Sequence, residues 1–226
     1  MTAVDYQPFV ERMINRYEGG YGWDRNDGGG PTKYGITCYD LAQHRGERMD
    51  SMARWAAIVR AMTLSEADTI YREKYATACC FNELNSGCDC VVMDFGVNSG
   101  SSRSIKYAQR VVDVHQDGVL GPMTLAAING YNPKDFINEL CNARLGFLRG
   151  LRIWGSFGRG WSSRVKDLRA YSLALIAKPP GALGEVAKPE RPQDKELRIP
   201  KAFGKAYGPE EHRQLKEMHG EENRHE

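Results

Sequence analysis

Near the N-terminus, three polar side chains of the types that cleave a glycosidic bond stand close together: Glu18, Asp27 and Thr32. Such cleavage needs a protonated carboxyl group to donate to the leaving oxygen. It also needs a second, ionised carboxylate to support oxocarbenium-like charge or to activate water. A hydroxyl can hold that water in place. Tyr17, Tyr21 and Trp23 surround Glu18, and partial burial beside aromatics raises a carboxyl pKa. Asp27 lies in a polar, glycine-rich turn that keeps a carboxylate ionised. On residue types alone, however, Glu18 is more often a solvated carboxylate at a helix end, and Asp27-Gly28 an ordinary turn. A phosphate cradle does not fit, because Thr32 precedes Lys33 instead of following it.

The elements that must position this set are mostly helical. Phe9, Val10, Met13, Ile14 and Tyr17 fall on one helix face, with Asp5 as its expected cap and Glu18-Gly19-Gly20 as its exit. From Tyr21 to Ile36 the helical period is absent. Turn residues Asn26 to Pro31 separate Tyr21-Gly22-Trp23 from Tyr34-Gly35-Ile36, which predicts a small β-hairpin or a tight irregular loop. A helix end followed by a fold-back brings residues nine and fourteen apart toward one cleft. Helix then resumes from a Thr37 cap to Gly46, over about 51–61, and from a Ser65 cap. Further helices are expected at 88–97 and 102–113, broken at Asn98-Ser99-Gly100. Others start at Pro122 and at Asn132-Pro133, and the last runs from about Gly158 to Ala177. Roughly eight helices and one hairpin make a predominantly α-helical α+β domain, with no βαβ alternation.

Composition narrows the classes. The 226 residues carry 31 basic and 29 acidic side chains, +2 in all, which is not the balance of a nucleic-acid specialist. No apolar run reaches the length of a membrane span. Met1 to Met13 holds Asp5, Gln7 and Glu11 where a signal peptide needs an apolar stretch, so synthesis in the cytoplasm without a leader is the expectation. Residues 178–226 hold six of the ten prolines, with ten basic and ten acidic side chains, and are expected to form a disordered tail behind a domain of residues 1–177. Six cysteines (38, 79, 80, 88, 90 and 141) invite a zinc reading. Their spacing is wrong for a finger or ribbon, and they read as small apolar residues, with no metal and no cofactor expected. Seven basic residues between Arg144 and Arg169 face a single acid, Asp167, a charge that would favour an anionic polymer if it were exposed.

Glu18-Gly19-Gly20-Tyr21, followed by Asp24, Asp27-x-Gly29-Gly30 and Thr32-Lys33-Tyr34-Gly35-Ile36-Thr37, resembles the signature of the glycoside hydrolase family 108 muramidases. These are lysozyme-like enzymes found as phage endolysins and bacterial secretion-activator proteins. The resemblance implies Glu18 as catalytic acid, with Asp27 and Thr32 completing the set. Tyr21 and Asp24 would lie at the substrate, Asp24 also matching a recurrent family acid. Asp94 to Gly100, Gln109, Asp117 to Thr124, and Phe157 to Val165 resemble the family's predicted peptidoglycan-binding segment. The expected division is therefore a catalytic part at about 5–85 and a peptidoglycan-binding-like part at about 88–170, in one compact fold. Asn98, in the break between two helices, would bond a sugar N-acetyl or hydroxyl group. One departure is that Ala76 stands where the family often has a tryptophan beside the residue matching Tyr75.

The resemblance implies an N-acetylmuramidase acting on bacterial peptidoglycan. It would be a monomer that binds neither nucleic acid nor membrane, reaching the periplasmic wall after release through a holin or a secretion route. A lytic transglycosylase, or a non-catalytic wall-binding or secretion-accessory protein, remains the alternative.

Overall fold

The computed structural model describes residues 3–14, 16, 19–23 and 30–177. Glu18, Asp24, Asp27 and the segment 178–226 lie outside the described residues. Among those described, the chain forms nine α-helices, three short strands and a six-residue π-helical segment at Tyr71–Ala76.

Helix α1 (Ala3–Met13) buries Tyr6, Phe9, Val10 and Met13, the face its apolar spacing predicts. It begins before Asp5, so that residue sits in the first turn and is not the cap. The strands β1 (Tyr21–Gly22), β2 (Thr32–Lys33) and β3 (Ile36–Thr37) form one antiparallel meander in that order. The sequence predicts a small β-hairpin or a tight irregular loop, with Tyr34-Gly35-Ile36 as one of its two flanking segments. Instead Tyr34 and Gly35 form the turn between β2 and β3. Both have positive φ, +53° for Tyr34 and +73° for Gly35, as the two-residue turn that matches strand twist requires.

Helices α2 (Cys38–Arg45), α3 (Met52–Ala61) and α4 (Leu64–Ile70) follow, capped by the side chains of Thr37, Ser51 and Thr63. The third cap is Thr63, not Ser65. Its hydroxyl accepts from the Glu66 amide at 3.2 Å, and Thr63-x-x-Glu66 is itself a capping-box pattern. Helix α4 runs straight into the π-helical segment π1 (Tyr71–Ala76).

The second half is a helical body: α5 (Cys88–Ser99), α6 (Ser101–Val111), α7 (Pro122–Gly130), α8 (Pro133–Arg149) and α9 (Trp154–Ile176). In α5 every residue from Cys88 to Gly96 is buried, as expected of a helix covered on all sides. It packs against α1, α6, α8, α9 and π1. The break before α6 is Gly100 alone, so Asn98 and Ser99 belong to the last turn of α5. Helix α9 starts four residues before the expected Gly158, because Gly155 and Gly158 continue the helix. Gly158 leaves room for the Trp154 ring, which a Cβ there would meet at 2.5 Å. One cluster of buried residues extends from Tyr6 to Leu175 and takes in both halves. No helix among the described residues is long and apolar enough to cross a membrane.

Candidate functional site

The β1–β2 ribbon is the part of the candidate site that the structure describes. Gly20 leads into it at φ +98°, with open space around its α-carbon, so backbone conformation and not crowding demands glycine there. Tyr21 pairs with Lys33 and Gly22 with Thr32. Tyr21 and Thr32, both expected at the site, are thus brought onto neighbouring rungs. The Thr32 hydroxyl donates to the Gly22 carbonyl at 3.5 Å, a contact too long to hold the hydroxyl firmly.

Residues 23–31 connect these strands, and this connection contains Asp24 and Asp27. Its C-terminal end is seated closely: a Cβ on Gly30 would lie 2.6 Å from the Cys38 Sγ. The Cys38 amide donates to the Pro31 carbonyl at 2.9 Å.

Three side chains that sequence reasoning passed over fix the ribbon from outside. The Lys33 Nζ donates to the carbonyls of Arg60 and Met62, both at 2.7 Å. The Arg60 guanidinium lies over the Tyr21 ring, 4.5 Å from its centroid. The Tyr71 hydroxyl, on π1, donates to the Tyr34 carbonyl in the turn at 2.9 Å. Lys33 lies inside the motif, but nothing in its spacing names α3 as its partner.

Asn98 stands in the last turn of α5. Its amide oxygen accepts from Arg144 Nη2 at 3.1 Å and from the Ser99 hydroxyl at 3.3 Å, which leaves the amide nitrogen as the donor side. Arg144 is held in turn by a buried ion cluster. Asp94 receives Arg144 Nη1 at 2.6 Å and Arg164 Nη2 at 2.8 Å, and all three side chains are at most 3% exposed. Burial alone would raise the Asp94 pKa, but Arg164 and Arg144 outweigh it and bring it down to about 2. Two of the seven arginines and lysines read as a basic face are therefore interior. Asp167 is engaged by Arg12 at 2.8 Å and Arg16 at 3.2 Å from the α1 side. The exposed charge of this region falls to Arg149, Arg152, Arg159 and Lys166, fewer than sequence counting gave.

The Asp117-Gly118 stretch is structural. The amide nitrogen of Gln109, fully buried, shares its two hydrogens among Asp117 Oδ1 at 2.6 Å, the Val119 carbonyl at 3.1 Å and the Thr124 hydroxyl at 3.1 Å. The Gln109 amide oxygen accepts from the Gly118 amide at 2.9 Å. Trp161 is buried and stacks with Phe157, so it packs the body. The cysteines are free thiols, five buried and Cys80 half-buried. Burial pushes Cys38 up to about 11 and Cys88 up to about 12, away from the thiolate form that metals bind. Among the described residues no cluster of three or more His, Cys, Asp or Glu side chains could hold a metal ion.

A small antiparallel ribbon carrying a threonine, set against a helical body with a central buried helix, is the architecture of the lysozyme-like class. Comparison with known proteins agrees. The sequence profile described as Glycosyl hydrolase 108 matches residues 12–100. Twelve chains of solved structures match. Among them SagA of Brucella abortus is 39% identical, with a TM-score of 0.67, and the match covers 76% of this chain and 97% of that one. No curated protein matches. The chain belongs to glycoside hydrolase family 108. That membership and the likeness to SagA support a lysozyme-like, peptidoglycan-hydrolase function.

Proposed function

We propose that the protein is an endolysin-type N-acetylmuramidase that hydrolyses the β-1,4 bond between N-acetylmuramic acid and N-acetylglucosamine in bacterial peptidoglycan. Glu18 protonates the leaving oxygen. Asp27 activates water or supports the developing positive charge, with Asp24 at the substrate, and the Thr32 hydroxyl positions the attacking water. Tyr21 lines the sugar, and the Asn98 amide bonds a sugar N-acetyl or hydroxyl group. No metal takes part in these steps. The protein works as a monomer, reaching the wall through a holin lesion or a secretion route.

The observation that carries this reading is the Gly22–Thr32 rung. It ties the strand that follows Glu18 in sequence to the strand that bears Thr32, which supports reading the motif spread over fifteen positions as one unit. The test is Glu18→Gln on purified sacculi. The expected outcome is a loss of reducing-end release of roughly a hundredfold or more, with the circular dichroism spectrum unchanged. Wild-type turnover by the variant, or 1,6-anhydro ends in place of reducing ends, would overturn the assignment.

A further inference from the structure

Two register partners of the ribbon grip the same residue of α3. Tyr21 and Lys33 pair across β1 and β2. The Tyr21 ring carries the Arg60 guanidinium at 4.5 Å, and the Lys33 ammonium takes the Arg60 carbonyl at 2.7 Å. The same ammonium reaches the Met62 carbonyl at 2.7 Å. These carbonyls lie at the C-terminus of α3, where a helix has no partners of its own for its last oxygens and where its dipole favours a cation.

A ribbon of two-residue strands has few ladder bonds and is marginal alone, so its tilt against the helices must be imposed from outside. Arg60 and Lys33 impose it at one rung. The next rung is Gly22–Thr32, and beyond it lies the connection that carries Asp24 and Asp27.

We propose that Arg60 and Lys33 are positioning residues for hydrolysis: a clamp from the end of α3 that sets the place of Thr32 without touching substrate. The proposal rests on the muramidase reading above. A displacement of about 1 Å in a catalytic group can cost up to roughly a hundredfold in rate, whereas a clamp that leaves the sugar contacts alone has little effect on binding. The Lys33 side of the clamp therefore shows in kcat and not in KM.

The experiment measures kcat and KM separately on sonicated, soluble peptidoglycan for Lys33→Met, Lys33→Arg and Arg60→Ala, with Glu18→Gln beside them. Lys33→Met is expected to lower kcat roughly ten- to a hundredfold with KM little changed. Lys33→Arg is expected to restore most of that loss, because a guanidinium can reach the same two carbonyls. Arg60→Ala, which keeps the carbonyl and removes the contact to the Tyr21 ring, should give a smaller loss in kcat, accompanied by a rise in KM because Tyr21 lines the sugar. A folded Lys33→Met with wild-type kcat, or with its loss confined to KM, would sink the clamp. Should Lys33→Met not fold, wild-type kcat in Arg60→Ala leaves these residues a purely structural role and overturns the proposal equally. Full activity in Glu18→Gln would instead overturn the muramidase reading, and the clamp's part in it.

Discussion

The ribbon at residues 21–37 and the helical body around α5 both depend on charged side chains, but they spend the charge differently. At the ribbon, the half-buried Lys33 addresses backbone carbonyls and the exposed Arg60 an aromatic face. In the body, Asp94, Arg144 and Arg164 are sealed inside. A cation on a helix end contributes little stability, about 0.3–1 kcal/mol, but fixes direction. A buried ion cluster is costly to assemble and more costly to break. We expect loss of function without loss of fold at the ribbon, and loss of fold in the body.

The sharpest way to break this contrast is Asp94→Ala. It strands two buried guanidiniums and should lower the free energy of unfolding by about 3–5 kcal/mol in a urea titration. The wild-type pH dependence gives the same cluster from another side. The Asp94 pKa is held at about 2, below its ordinary 3.8, so its stabilisation is complete above the ordinary carboxylate range. It is lost as pH falls from about 4 to 2, an effect on the order of 2 kcal/mol. Asp94→Ala should lack that part of the acid limb. A variant as stable as the wild type would show that the body does not rest on the cluster.

Much of this was legible before any coordinates. Thr37 caps α2 and Asn132-Pro133 starts α8 where the sequence predicts, because a helix start is a local event within a few residues. The apolar stripe of α8 was legible too, and it contains what counting charges concealed. Ile137, Leu140, Cys141, Arg144 and Leu148 share one face, as do Trp161, Arg164, Val165 and Leu168 of α9. An arginine on the buried stripe of each of two helices is a signal for an interior partner, and Asp94 lies within the apolar run of α5. The clamp was not legible, since the contacts between Lys33 and the carbonyls of Arg60 and Met62 depend on how α3 comes to rest against the ribbon. Nor was π1, where the helix widens through a sequence, Tyr71 to Ala76, that carries no breaker.

A middle-sized effect is expected at Gln109, whose one side chain has four hydrogen-bond partners that shape the 117–124 stretch. Gln109→Leu should cost about 2–3 kcal/mol in thermal unfolding, and new proteolytic cleavage should appear within residues 113–121. Catalysis by the folded fraction should be unaffected, which separates this site from the ribbon. The smallest effect is expected at Thr63→Ala, about 1 kcal/mol from one lost cap. A loss several times larger would mean that the start of α4 also supports π1, and through Tyr71 the ribbon turn.

The six free thiols give the molecule a built-in gauge of its own breathing. Cys38 backs the Gly30 end of the ribbon connection, Cys79 follows π1, Cys88 and Cys90 sit in α5, and Cys141 lies in α8 beneath α9, all buried, while Cys80 is half-buried. A thiol sealed from water and held protonated reacts with an alkylating reagent only when its surroundings open. Read by mass, the order in which Cys38, Cys79, Cys88, Cys90 and Cys141 take up label would chart which region opens first, with no residue replaced.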